Sequence, residues 1–465
     1  MKKEIALLLI FIGGYVGLAA QLLVLRQVAN FVGATAIISS IIIGVYLAAM
    51  TGGYFTGSRK VVDHSKIARI VSRNFILMGA LITLAASYPI VSLVFHFMLN
   101  IGITSPIVQT FAYAAVFLAV LPFLSGYTIS LLAQTLHNKN RDYTGIIMGI
   151  DTVGSVLGSL VTTLIIMAVF GVNYAVMTTV FFALVASFVA KVESWGDIAL
   201  PRYVFFTSII LVLLWGLNNS ALLKRTYGIV SNNAASTIAI VTGVDGMYLM
   251  IDSATHSLIR PDGRHAEYVD FINDFFINTI PADKTARILV LGAGGFTIGR
   301  HDNRNLYTFV DINPALKYAA ERYFLPERLG ANKRFVVQDA GQFLRTTTEK
   351  YDLIIMDVFS RWSIPESMIT DKFMAEMRAA LAPGGFMIMN AITSPVFADE
   401  FSRRLDNTIR QIFPHNLSRH IVMPFNAWGD RDLTNVLYIY VNHENRGLVY
   451  DVNRSSTIYD KRRAH

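Results

Sequence analysis

Apolar positions run long and unbroken through the first 218 residues and short thereafter. A bilayer crossing needs about 20 apolar residues. Runs of that kind fall at roughly 4–25, 33–56, 74–99, 106–135, 145–170, 172–190 and 201–217, divided by Gly, Pro, Asn or clusters of charge. The pattern predicts a multi-pass α-helical domain of about seven spans over residues 1–218. Gly154 and Gly158, with Ser155 and Ser159, stand at the small-xxx-small spacing that lets helix backbones approach closely in lipid. Lys2 and Lys3 precede the first run as they would in a signal peptide. That run is long, and no small-residue cleavage site with polar sequence behind it follows, so a retained helix is expected.

Beyond residue 218 the period changes. Residues 236–252 alternate around Asp245-Gly246, a hairpin turn signal. From 286 onward short apolar strands are expected at 287–291, 306–311, 334–338, 352–357 and 385–390, with helices at about 313–323, 341–347, 370–381 and 398–412. Strands near 418–423 and 435–441 close the unit. Strand–helix alternation predicts a parallel, doubly wound sheet, whose ligands bind at the carboxyl ends of the strands. The fold expected is thus a helical membrane domain plus an α/β domain with a β-hairpin region at its start. The α/β domain is placed at 226–445, with a basic tail at 446–465 that carries Arg454, Lys461, Arg462 and Arg463.

Composition sharpens the division. Apolar residues make up 53% of the 465 and charged ones only 15%, against about 25% charged in a soluble protein. The absence of cysteine excludes disulfides, thiolate metal sites and a cysteine nucleophile. The net charge of +8 suits basic loops and a lipid bilayer, and no stripe of interleaved Arg and aromatics suggests nucleic acid. Arg59, Lys60, Lys66, Arg69 and Arg73, then Lys139 and Arg141, then Lys191, fall in alternate loops, so positive-inside places the N-terminus in the cytosol. Asp151 and Arg26, the latter with Gln21 and Gln27, are polar groups within spans: a buried polar pair or interfacial snorkelling, or a cleft for a headgroup or polar substrate.

The candidate chemistry lies at four successive strand ends. The first ends in Gly292-Ala293-Gly294-Gly295, a turn that lets a ligand approach the backbone, with a helix N-terminus expected to follow. The second ends in Asp311, about 20 residues on, where an acid hydrogen-bonds ribose hydroxyls. The third ends in Asp339-Ala340 and the fourth in Asp357. A dinucleotide-binding domain is the rival, but Thr297 stands at its third glycine position and acids at the third and fourth strand ends are not part of its fingerprint.

On these residues the chain resembles S-adenosyl-group transferases, and specifically the spermidine synthase family in its membrane-fused bacterial branch. The resemblance covers roughly 226–395. The strand Met247–Asp252 followed by Ser253-Ala254-Thr255-His256 is similar to the family's Leu-Asp-Gly-x-x-Gln. His265-Ala266-Glu267 meets its Tyr-x-Glu, and 289–297 meets its glycine-rich loop. Val310-Asp311-Ile312, Asp339-Ala340 and Asp357 meet the motifs that follow, and Ile364-Pro365 and Met368-Ile369-Thr370 look like the membrane-associated branch. The departures are His256 for Gln, His265 for Tyr, Gly295 for the acid of the glycine loop and Ser360 for the second Asp of the catalytic stretch.

The resemblance implies an aminopropyltransferase of polyamine biosynthesis. The group would move from decarboxylated S-adenosylmethionine to a small-molecule amine or a membrane-displayed amine such as a lipid headgroup, without a metal. Asp357 would be catalytic; Gly292, Gly294, Gly295, Asp311, Asp339 and Ala340 would hold the nucleoside; His256, His265, Glu267 and Ser360 would line the acceptor side. Two other readings stay open: a methyltransferase using S-adenosylmethionine itself, and a non-catalytic nucleoside or polyamine sensor or transporter. Relatives of this kind imply a homo-oligomer. Residence in the cell (inner) membrane is expected, with the α/β domain cytosolic on cofactor supply. Seven spans from a cytosolic N-terminus would instead put it outside, and 201–217 is the shortest span and the one in question.

Overall fold

The computed structural model describes residues 1–59, 62–136, 143–193, 200–359, 364–413, 415–423 and 433–443. The basic tail and Ser360 lie outside them. The chain divides into two compact units, Met1–His256 and Ser257–His465.

The first unit is a helix bundle with a small sheet. Six of its described helices are long and apolar enough to cross a membrane: Lys3–Val32, Ala36–Arg59, Lys66–Ala85, Thr144–Phe170, Val172–Glu193 and Leu200–Asn218. A seventh crossing results if Pro106–Leu118 and Val120–Leu136, bent by 41° at their junction, count as one span. Pro122 lies one turn past the bend, and the backbone N–H it lacks leaves a helical carbonyl without its partner. The expected span at 74–99 is not one helix. The chain breaks at Ala86-Ser87 and restarts as Tyr88–Asn100 with Pro89 in its first turn, the position where proline is tolerated. The stretch at 201–217 forms the Leu200–Asn218 helix and is one of the six.

Close helix packing follows from glycine. A Cβ on Gly154 would lie 2.2 Å from the Phe11 carbonyl oxygen, and one on Gly158 would lie 2.4 Å from that of Tyr15. The two glycines, one turn apart, thus let Thr144–Leu160 press its backbone against Lys3–Val32.

The small sheet contains β1 (Ile229–Asn232), β2 (Thr237–Thr242), β3 (Met247–Ile251) and β4 (Ala254–Ile259), in that order. β2 and β3 form the expected hairpin, pairing Thr242 with Met247 around Gly246, whose φ is 145°. Arg26, nearly two turns before the end of the first long helix, is a half-buried partner of this sheet. Its Nε donates to the Asn233 carbonyl at 2.9 Å, and Nη2 reaches Thr237 Oγ1 at 3.2 Å and Asp252 Oδ1 at 3.3 Å. Of the readings of Arg26, the polar pair is the one realised.

The second unit is built on β5 (Arg287–Leu291), β6 (Leu306–Asp311), β7 (Lys333–Val337), β8 (Tyr351–Met356), β9 (Leu381–Thr393), β10 (Leu417–Ile421) and β11 (Thr434–Val441). Their order is β10-β11-β9-β8-β5-β6-β7. β5 to β9 are parallel, while β11 runs antiparallel to β9 and β10 to β11, so the sheet is mixed rather than wholly parallel. The parallel strands are nearly continuous runs of buried residues: Ile288, Leu289, Val290 and Leu291 are all fully buried, as are Ile354, Ile355 and Met356. That is what a sheet covered on both faces requires. β6 and β7 lie to one side of β5 and β8 and β9 to the other. The strand order therefore reverses between β5 and β8, and there the carboxyl ends open a crevice.

Candidate active site

Adjacent strands are about 4.8 Å apart, so the ends of β8, β5, β6 and β7 form a row about 14 Å long. In register, Leu291 pairs with Met356 and with Val310, and Asp311 pairs with Val337. Asp357, Gly292, Asp311 and Asp339 therefore follow one another along this edge.

Gly292 is required twice over. Its φ is +88°, and a Cβ would lie 2.2 Å from the Asp357 carbonyl oxygen. The Asp357 N–H donates to the Leu291 carbonyl at 2.8 Å, so turn and catalytic candidate are locked together. No helix follows the glycines; residues 292–305 are turns. Gly294, Phe296 and Gly299 all have positive φ, which a right-handed helix cannot hold. Asn273 fixes the far side of the loop by accepting from Gly299 N–H at 2.8 Å. Gly295 donates its N–H to Ser257 Oγ at 2.8 Å, and a Cβ there would meet the Phe324 ring at 2.4 Å. A side chain at residue 295 would have to displace the Phe324 ring.

Asp311 spans the turn. One oxygen accepts from Ala293 N–H at 3.0 Å and the other from Asn313 N–H at 2.9 Å. Burial raises its carboxyl above the usual range, and these bonds partly offset the rise. A carboxylate has about four acceptor sites, so capacity remains on Asp311 for a further donor. Asp339 caps the helix Ala340–Thr346, accepting from Gln342 N–H at 2.8 Å through Oδ1. The carboxylate itself is exposed, and Ala340 is buried in the first turn behind it.

Asp357 is gripped from both sides. Tyr268 donates its hydroxyl to Oδ2 at 2.8 Å, and Asn390 donates Nδ2 to Oδ1 at 2.8 Å. Asn435 in turn donates to Asn390 Oδ1 at 2.9 Å. Burial pushes the Asp357 carboxyl up, against the pull of the two donors. The Tyr268 phenol is driven well above its ordinary value by burial and by the neighbouring carboxylate, so it stays a donor. Tyr268, Asn390 and Asn435 were not singled out from sequence. Asn390 had a signal: a polar residue at the end of the apolar run 386–389, the same pattern that marked Asp311. Tyr268 directly follows Glu267 of the motif.

The acceptor-side candidates are placed differently. The His265 ring turns to Asp270 at 3.0 Å and is buried; burial lowers its pKa. It lines a polar cavity of about 230 Å³ with Asn273, Gly299 and Arg300, which takes in none of the strand-end carboxylates. Glu267 is exposed and paired with Arg260. His256 belongs to the other compact unit, where burial lowers its imidazole to about 4. Ser360 is outside the described residues.

The glycine turn and the row of strand-end carboxylates thus lie together at the switch point, where open α/β sheets bind their ligands. Residues 227–426 match the model of the spermine/spermidine synthase domain. A polyamine aminopropyltransferase of Vibrio vulnificus is 30% identical over 138 residues, covering 28% of this chain and 44% of the relative. One of Sulfolobus acidocaldarius is 27% identical over 197 residues, covering 39% and 65%. The matches thus span about half the length of these curated relatives. Among solved structures, a probable spermidine synthase from Corynebacterium glutamicum is similar at 21% identity with a TM-score of 0.39, covering 49% of this chain and 83% of that one.

Proposed function

We propose that the α/β domain transfers an aminopropyl group from decarboxylated S-adenosylmethionine to an amine. The carrying observation is Asp357: a half-buried carboxylate at the switch point, beside the glycine turn, oriented by Tyr268 and Asn390. The donor's sulfonium makes the adjoining methylene electrophilic. The amine lone pair forms the new C–N bond, the C–S bond breaks with its electron pair going to sulfur, and neutral methylthioadenosine departs without acid assistance. What this chain has to supply is a neutral amine held in line, and a place for its proton. Asp357 accepts hydrogen bonds at both oxygens and would accept another from the attacking amine, then its proton. The elevated affinity for a proton that burial gives this carboxylate favours that step. Asp311 would hold the ribose and Asp339 the adenine amino group, while Gly292 and Gly294 leave the turn open to the nucleoside.

The acceptor proposed is a polyamine or an amine displayed at the membrane, and the helical unit is proposed to span the cell membrane. Incubation of the protein in lipid discs with the donor and putrescine, spermidine or lipid extract tests this. Mass spectrometry should find one of these amines carrying the added aminopropyl group, and an unchanged acceptor pool would overturn the reading. The α/β domain is proposed to be cytosolic, where the donor is made. Because the chain has no cysteine, Lys372→Cys, at an exposed site, should react with a membrane-impermeant thiol reagent only after the inner membrane is opened.

One observation favours the methyltransferase reading. With Phe324 standing where a side chain of residue 295 would go, the loop has no acid to pair with the donor's free amine or to repel the carboxylate of intact S-adenosylmethionine. Donor preference decides between them.

A further inference from the structure

At the opposite end of the sheet from Asp357, the loops that lead into β6 and β7 enclose a second feature. Arg300, His301, Arg328 and Lys333 surround a cavity of about 140 Å³, with Glu327 as its one acid. The Arg300 side chain is only 9% exposed. Its Nε and Nη1 are buried without a hydrogen-bond partner. The Glu327 carboxylate approaches no nearer than 3.8 Å and is itself 61% exposed. A buried guanidinium with unmet donors is costly, and the arrangement is complete only when an acceptor of opposite charge joins it. The surroundings are already rigid: Lys333 Nζ donates to the Arg300 and Asp302 carbonyls at 3.2 and 2.7 Å, which fixes the loop and spends two of its three protons.

We propose that this cavity is a binding site for a phosphate group. Three permanent cations face one carboxylate, so the occupant is an anion. A guanidinium fork matches the oxygens of a tetrahedral oxyanion, and an ammonium adds a point charge beside it. A single water needs about 10–15 Å³ of such space, so the cavity has room for a phosphate group. Arg300 and His301 also wall the cavity that contains His265, but there Asp262, Asp270, Asp274 and Asp302 outnumber the cations, and an anion is drawn to the smaller side. Glu327 holds the place of the ligand loosely, and its exposure lets it swing out when phosphate enters. The same chemistry serves a free phosphate ester or the phosphate of a lipid headgroup. The site is remote from the strand-end carboxylates, so it does not depend on the transfer reaction.

Calorimetric titration of the full-length protein in detergent with inorganic phosphate, against chloride at matched ionic strength, tests the proposal. Saturable binding and a phosphate-dependent rise in Tm are expected. Arg300→Gln should weaken phosphate roughly tenfold to a hundredfold, and its Tm without phosphate reports whether the fold survives. Glu327→Gln, which removes the competing carboxylate without touching Arg300, should bind phosphate severalfold more tightly than the parent. In discs of phosphatidylglycerol the titration should weaken if the headgroup is the natural occupant, and should be unchanged if a free ester is. Absence of saturable binding in the parent, or equal binding by the parent and both variants, would overturn the assignment.

Discussion

Replacing Asp357 by Asn separates the chemistry of the site from its architecture. The carboxylate accepts two hydrogen bonds, both at 2.8 Å. An amide can keep both: Asn390 still donates to the new Oδ1, and the Tyr268 hydroxyl turns from donor to acceptor. Bonds to a charged group are worth about 1.5–3 kcal/mol and neutral ones about 0.5–1.5, so the exchange loses about 2–3 kcal/mol over the pair. Against this, the variant no longer buries an ion, a penalty of several kcal/mol. The fold should therefore be as stable as the parent's or more so. The pH dependence has a definite sign. Burial raises the folded-state pKa of Asp357 above the unfolded value near about 3.9. Its contribution to stability is present below that value and lost as pH climbs through the folded one, so the advantage of the Asn variant should grow from acid toward neutral pH. Transfer, by contrast, loses its proton acceptor and should fall by about 10²–10⁴, which is about 2.7–5.4 kcal/mol of barrier. Single-turnover formation of methylthioadenosine, with thermal unfolding in the same discs between acid and neutral pH, measures both. A variant that keeps transfer within a few-fold of the parent would refute the assigned role, and one that unfolds would refute the account of the grip.

Other consequences follow from the same contacts. Tyr268→Phe removes one donor from the carboxylate, so the acidic limb of the kcat–pH profile should move up by about one to two units, the equivalent of one charged hydrogen bond. Asn435→Leu leaves Asn390 without the donor that fixes its amide and should lower kcat more than it raises KM, with Asn435→Gln recovering part of the loss. Gly295→Ala drives a methyl group into the Phe324 ring and should cost about 1–3 kcal/mol, read as a fall in Tm that Phe324→Leu relieves. Asp252→Asn deprives the half-buried Arg26 of its carboxylate, which also accepts from Thr237 N–H at 2.8 Å, and should lower the Tm of the helical unit by the equivalent of about 1–3 kcal/mol.

The strands and the residues at their ends were legible in the sequence because both are local signals. An apolar run followed by Gly or Asp gives a strand end, and consecutive parallel strands bring such ends side by side. β5, β6 and β8 lie within a residue of where the pattern placed them, and the spacing of Gly154 and Gly158 marked a helix contact that the structure contains. The partners of the site are not local. Tyr268 reaches Asp357 across 89 residues of chain and Asn390 across 33, and no periodicity connects them. The break in the expected 74–99 span was readable from Pro89, but the apolar run masks it. The glycine turn was read with a helix behind it, which the left-handed backbone of Gly294, Phe296 and Gly299 prevents. His265 matched a family motif by position, yet its pairing with Asp270 and its place beside Arg300 come from the tertiary fold.

The most direct test of the central claim is the identity of the nucleoside product. The protein in lipid discs, given decarboxylated S-adenosylmethionine and an amine mixture, should release methylthioadenosine in amounts that Asp357→Asn abolishes. Release of S-adenosylhomocysteine from intact S-adenosylmethionine, with no methylthioadenosine from the decarboxylated donor, would contradict the account and make the domain a methyltransferase.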